Sequence, residues 1–82
     1  MSDVLRPPAE FHFDFTPLRQ RRRFLDVTQR ELGLAIHRHP ITVNRLEKGA
    51  CRNPSLALLV EIGRALGTPV NQLFQVVDGP RK

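Results

Sequence analysis

Apolar positions along the chain recur at two different periods. Phe11-His12-Phe13-Asp14-Phe15 alternates apolar and polar, the two-residue period of a half-buried strand. From Leu18 onward the apolar residues fall three or four apart. Leu18 and Leu25 form one set, Leu32, Ala35 and Ile36 a second, Val43 and Leu46 a third. A denser set follows with Leu56, Leu59, Val60, Ile62, Gly63 and Leu66, then a short one with Val70, Leu73 and Phe74. This is the spacing of helices that bury one face. Start and stop signals bracket each set. Thr16-Pro17 reads as an N-cap followed by proline at the first helical position, opening a helix to about Leu25. Thr28 with Glu31 three residues later is a capping box. His39-Pro40 opens a third helix and Gly49 stops it. Ser55 caps a fourth, which Gly67 closes, and Thr68-Pro69 introduces a last short one. The pattern predicts an all-α domain of five short helices over residues 16–76. An N-terminal arm over 1–15 precedes it, with a short strand at 11–15, and a tail over 77–82 follows. The tail from Asp78 is expected to fray. The three aromatics on one side of the strand require cover, from the domain's own core or from a partner chain.

Composition narrows the class. Eighty-two residues, 40% of them apolar, suit one domain with a modest core. No apolar run is long enough to span a bilayer, and the first residues lack the basic-then-apolar layout of a signal peptide. The single cysteine, Cys51, excludes an internal disulfide framework. One Cys and three His without ligand spacing give no metal site, and nothing calls for a cofactor. A reducing cytoplasm is the expected location. No carboxylate pair or nucleophile–base set is present, so the chain reads as a non-enzyme. Charge is uneven: between Leu18 and Arg52 stand nine basic residues against three acidic ones, an excess of six, whereas the whole chain carries +5. Such a concentrated basic stretch is the footprint of a polyanion partner.

That stretch carries an ordered motif. Thr28-Gln29-Arg30-Glu31-Leu32-Gly33-Leu34-Ala35 leads through His37-Arg38-His39 into Pro40-Ile41-Thr42-Val43-Asn44-Arg45-Leu46-Glu47-Lys48-Gly49. Two helices joined by a tight turn let the second project from the surface, and the DNA major groove admits one helix. Val43, Leu46 and Glu47 share the inward stripe of the second helix. Ile41, Thr42, Asn44, Arg45 and Lys48 are left outside, a polar or basic face without an acid. The stretch resembles the Cro/repressor-type (Xre-like) helix-turn-helix family, which reads roughly T-Q-x-x-L-A-x-x-x-G-V-S-x-x-T-I-S-R-x-E-x-G. The resemblance continues without a gap through Asn53-Pro54-Ser55-Leu56, Ala65-Leu66-Gly67 and Leu73-Phe74.

The resemblance implies a lambda-repressor-like fold and a role for each matching position. Pro40, Ile41, Thr42, Asn44 and Arg45 would face bases. Gln29, Arg38, Lys48, Arg52 and Ser55 would meet phosphates, with Thr28 and Ser55 serving equally as helix caps. Arg22 and Glu47 match a pair that bridges the first and third helices and is structural. The sequence also departs from the family: Gly33 replaces an alanine, His37 stands where the turn glycine belongs, and Arg38 and Arg21 replace apolar residues. The implied function is a sequence-specific regulator of transcription. It would be a repressor acting as a homodimer on a two-fold operator, or the antitoxin of a toxin–antitoxin pair. The implied partners are double-stranded DNA, a second copy and a protein held through the N-terminal aromatic segment. The alternative is a protein-interaction module that keeps the fold without specific DNA binding. A chain this short is expected to be regulated by concentration, a partner or an oligomer switch rather than by a separate sensing domain.

Overall fold

The computed structural model describes residues 11–51 and 53–79. The elements run in the order β1 (Phe11–Asp14), α1 (Thr16–Phe24), α2 (Gln29–Ala35), α3 (Pro40–Glu47), α4 (Leu56–Leu66), a 3-10 turn (Val70–Gln72) and β2 (Gln75–Asp78). The helix-turn-helix architecture is as the motif predicts, but two expectations are corrected. The fifth helix is only a three-residue 3-10 turn. The domain is not all-α, because β1 and β2 pair antiparallel with Phe11 opposite Asp78 and Phe13 opposite Val76. Asp78 was expected in a fraying tail and instead closes this ribbon. His12 Nδ1–H adds a bond to the Gly79 carbonyl oxygen at 3.2 Å. The rest of the N-terminal arm and the last residues of the tail lie outside the described residues.

Local chemistry explains where the helices begin. The α2 capping box forms in full: Glu31 N–H donates to Thr28 Oγ1 at 3.0 Å, and Thr28 N–H donates to Glu31 Oε1 at 2.9 Å. Ser55 Oγ accepts from Leu58 N–H at 3.1 Å to start α4. At α1 the expected Thr16 cap is not made: Thr16 is the first helical residue, and Phe15 takes the cap position without a side-chain bond. Asp14 Oδ1 accepts from both Thr16 N–H (3.0 Å) and Thr16 Oγ1–H (2.7 Å), and Pro17 lies inside the first turn. Gln75 Nε2 donates to Asp14 Oδ2 at 3.0 Å, so one carboxylate ties β1, α1 and β2 together.

All four α-helices end alike. A left-handed residue closes each: Asp26, His37 and Gly49 just after the cap, and Gly67 at the cap itself. The amide beyond it reaches back to a carbonyl five residues earlier, as in Val27 to Arg22, Arg38 to Gly33, Ala50 to Arg45 and Thr68 to Gly63. This Schellman closure satisfies carbonyls the helix leaves free.

The core gathers Phe15, Leu18, Leu32, Ile36, Val43, Leu46, Leu58, Leu59, Ile62, Leu66 and Leu73. Leu18 N–H, a free donor of the first turn of α1, bonds to the Leu73 carbonyl at 3.0 Å and fastens the C-terminal turn over α1. Phe13 rests on Phe15 and Phe74 with ring centroids 6.4 and 5.5 Å away, so part of the aromatic segment is covered by the domain itself. Three apolar expectations fail: Leu25 lies beyond the end of α1, Ala35 at the end of α2 is exposed, and Leu56, in the first turn of α4, is 70% exposed.

Candidate nucleic-acid interface

The surface around α3 is built from inside outward. Val43 and Leu46 are fully buried and anchor the helix on the core. Beneath its C-terminal half, Arg22 of α1 meets Glu47 in a two-pronged ion pair. Nε donates to Oε2 at 2.6 Å and the second guanidinium nitrogen to Oε1 at 2.9 Å. The side chains are only 9% and 3% exposed. Arg22 also donates to the Val27 carbonyl at 2.8 Å, so it joins α1, the α1–α2 turn and α3. The Glu47 hydrogen bonds hold the Arg22 guanidinium above its ordinary pKa, against the opposing effect of burial. The pair implied by the resemblance is therefore present, and it fixes the pitch of α3.

The start of α3 is fixed by the turn. His39 caps it through its ring: Nδ1 accepts from Ile41 N–H at 3.1 Å, with Pro40 in the first turn. An imidazole can do this only when Nδ1 is unprotonated. His37 adopts φ +57°, where the family places glycine. Gly33 is the complement to this turn. A Cβ there would stand 2.8 Å from the Arg38 carbonyl oxygen and 3.2 Å from Pro40 Cα.

The predicted base-facing residues form one exposed flank. Ile41 and Arg45 are exposed, while Pro40, Thr42 and Asn44 are half-buried. Lys48 is exposed just past the end of α3, and Ser55 is exposed while its hydroxyl caps α4. Arg38 is exposed beside Glu61 of α4, at 3.8 Å in solvent, a pairing worth little that a phosphate could replace. Arg52 lies outside the described residues. Gln29 is more constrained than a free surface residue. Its Nε2 donates to Glu47 Oε1 at 3.1 Å, and its Oε1 accepts from Asn44 Nδ2 at 3.3 Å.

Sequence reasoning missed that link, as it missed the role of Arg21. Its Nε donates to Thr68 Oγ1 at 3.1 Å and its guanidinium lies 5.4 Å over the Phe24 ring. An arginine in an apolar position with a threonine at the far helix end carried no local signal. Cys51 is half-buried against the core. Among the described residues no His/Cys/Asp/Glu cluster could hold a metal, and no helix is long and apolar enough to cross a membrane.

Comparisons agree with this geometry. No curated protein matches the chain. A structure of the transcriptional regulator VanUg superposes with a TM-score of 0.74 at 20% identity, covering 92% of this chain and 96% of that one. A structure of cobalt(II) HppE in complex with substrate superposes with a TM-score of 0.67 at 27% identity, covering 72% of this chain but only 33% of that one. The chain thus spans about a third of HppE's length. The helix-turn-helix family model matches residues 18–73, which include both helices of the motif, the turn between them and the Arg22–Glu47 pair. The chain belongs to the helix-turn-helix family of the Cro/repressor type.

Proposed function

We propose that this protein is a sequence-specific DNA-binding regulator of transcription, a repressor that acts as a homodimer on a two-fold operator. The observation that carries the reading is the outer flank of α3. Ile41, Thr42, Asn44, Arg45 and Lys48 form a surface without an acid, on a helix whose pitch is locked by the Arg22–Glu47 pair. Family membership and the likeness to a transcriptional regulator support it. Pro40, Ile41, Thr42, Asn44 and Arg45 take the base edges. Arg45 forks onto guanine N7 and O6, and Ile41 and the Thr42 methyl meet thymine methyls. Lys48, Arg38, Arg52, Ser55 and the free amide proton of Gln29 take phosphates.

Selecting bound duplexes from a random pool tests this. A two-fold site is expected, and Arg45→Ala should lose preference at one position per half-site, costing about 1–3 kcal/mol. Binding should weaken with salt by roughly 0.9 log units per decade for each phosphate neutralised, less steeply in Lys48→Ala. Salt-independent binding, or no selected sequence, refutes the assignment.

A protein partner is the second reading, and one observation favours it. Phe11 and Val76 share the face of the β1–β2 ribbon that carries Phe13, yet they are 52% and 56% exposed. A toxin held there by an antitoxin, or an interaction module without DNA, would use that face. A gel shift of DNA by the isolated protein separates the module from the regulator.

A further inference from the structure

The first turn of α3 hangs on one imidazole lone pair. Pro40 has no N–H, and Thr42 N–H reaches the His39 carbonyl at 2.9 Å. The free amide between them is that of Ile41, and its partner is His39 Nδ1 at 3.1 Å. The family pattern has serine at this position, whose hydroxyl accepts at any pH. An imidazole does not. It exchanges a proton between about pH 5 and 8, and with both nitrogens protonated it has no acceptor left. A proton on Nδ1 and the cap therefore exclude each other. An imidazolium would also place a cation at the positive end of the α3 dipole, which repels it. His39 is exposed, so solvent protons reach the ring. The charges around it offer no substitute. The turn brings His37 and Arg38, and α4 brings Glu61, which faces Arg38 at 3.8 Å. Arg30 and Glu31 lie in the first turn of α2, at the opposite end from the ring, and α1 meets α3 at Glu47. Arg45 lies beyond the first turn of α3. Among the described residues no carboxylate bonds to the ring.

Resting on the DNA-binding reading above, we propose that His39 is a proton-operated cap: its protonation releases the Ile41 amide and frays the start of α3, so the protein loses base discrimination in acid while it keeps its general attraction to DNA. Pro40, Ile41 and Thr42, all assigned to base edges, sit in the turn that this cap holds. The phosphate contacts rest on Arg and Lys side chains, which keep their charge, and the new imidazolium adds attraction to any duplex. Selective and unselective binding therefore respond to acid with opposite signs. Loss of an N-cap shifts a helix start by roughly 2- to 30-fold, which bounds the loss of selectivity.

Two measurements test this. In the DNA-free protein, nitrogen-15 magnetic resonance follows the His39 ring and the Ile41 amide from about pH 8 to about pH 5.5. The Ile41 amide should shift in step with the His39 ring and lose its protection from solvent exchange, and in His39→Ser it should stay constant. With DNA, the ratio of affinities for the selected duplex and an unrelated one is taken at both pH values. In wild type that ratio should fall by roughly 2- to 30-fold in acid. It should stay level in His39→Ser. It should fall as in wild type in His37→Gly, which removes the neighbouring imidazole and gives the left-handed position the residue that suits it. His12, on β1, is the same in all three proteins. An equal fall in His39→Ser, or a wild-type ratio that acid leaves unchanged, overturns the proposal. So does an Ile41 amide that ignores the ring, and a level ratio in His37→Gly moves the effect to His37 and overturns it too. Absence of any selected sequence for wild type at either pH is a different result. It defeats the DNA-binding reading itself, and the Ile41 titration then decides alone whether the cap is proton-operated.

Discussion

Removing Glu47 should cripple the fold before it affects any DNA contact. In wild type the Arg22 guanidinium has three partners: two Glu47 oxygens at 2.6 and 2.9 Å and the Val27 carbonyl at 2.8 Å. Glu47→Ala deletes both charged bonds and leaves a cation whose side chain is 9% exposed. It also strips Gln29 Nε2 of its acceptor. Breaking a buried pair from one side costs about 3–5 kcal/mol, since the remaining charge is stranded. An 82-residue domain is stable by roughly 4–12 kcal/mol in total, at about 0.05–0.15 kcal/mol per residue. Each kcal/mol moves the melting midpoint of a domain this size by about 4–8 °C. The midpoint should therefore fall by roughly 12–40 °C, and the variant is expected to be partly unfolded at 37 °C.

Far-UV circular dichroism of the DNA-free protein measures this, with urea titration for the free energy. The Arg22→Met/Glu47→Leu double variant is the control. Replacing both charges by apolar groups strands neither, so it should melt near wild type or above it. A Glu47→Ala midpoint within a few degrees of wild type would show that the pair is dispensable. A double variant as weak as the single would show that the cost comes from lost volume rather than from a stranded charge.

Two further outcomes follow from local geometry. Gly33→Ala should destabilise the protein by up to about 2 kcal/mol in urea titration. The helix-propensity gain of about 1 kcal/mol is outweighed by overpacking of about 1–3 kcal/mol against the Arg38 carbonyl at 2.8 Å; a more stable variant would refute that contact. Asp14 is held below its ordinary pKa of 3.8, chiefly by the Thr16 hydroxyl and then by Gln75. A depressed folded-state value gives stability that is present above the unfolded value and lost as pH falls through the folded one. Asp14→Ala should thus melt earlier than wild type at neutral pH, with the gap narrowing below pH 3.8; a gap that stays constant into acid would remove the carboxylate from the cap.

The parts of this fold that were legible in the sequence are those whose causes are local. The Thr28–Glu31 box, the His39-Pro40 start, the Ser55 cap and the left-handed glycines at 49 and 67 each act within a few residues, and each is found where the pattern puts it. What failed depends on distant partners. Val76 and Val77 are adjacent, so Gln75–Asp78 shows no clean alternation, and it becomes a strand only by pairing with β1 more than sixty residues away. The same ribbon delivers Asp14 to the start of α1, where its carboxylate holds Thr16 in the first turn and Phe15 takes the cap position. Leu56 matched the apolar spacing of α4 but falls in its first turn, beyond the reach of the core. On the candidate interface, the exposed flank of α3 followed from its stripe of Val43 and Leu46. The Gln29–Asn44 link did not, because two polar side chains fifteen residues apart leave no periodic trace.

The departures from the family pattern are better understood together than singly. All four helices use the same closure, yet only two have glycine at the left-handed residue. At His37 the closure costs of order 1 kcal/mol in backbone conformation, and an L-residue there is confined to a narrow well close to the observed φ of +57°. That fixes where the next peptide lands: Arg38 N–H bonds to the Gly33 carbonyl at 2.8 Å, and the Arg38 carbonyl comes over α2 at position 33. A side chain at 33 would meet it, so the glycine missing from the turn is required four residues earlier, inside the helix. Gly33 and His37 are thus two sides of one contact. Together with the His39 cap they set the angle at which α3 leaves the turn. The Arg22–Glu47 pair sets its other end. Under the proposed reading, an α3 held at both ends by buried or strained contacts would have little freedom to adapt to a wrong sequence, and discrimination would fall to the side chains on its outer flank.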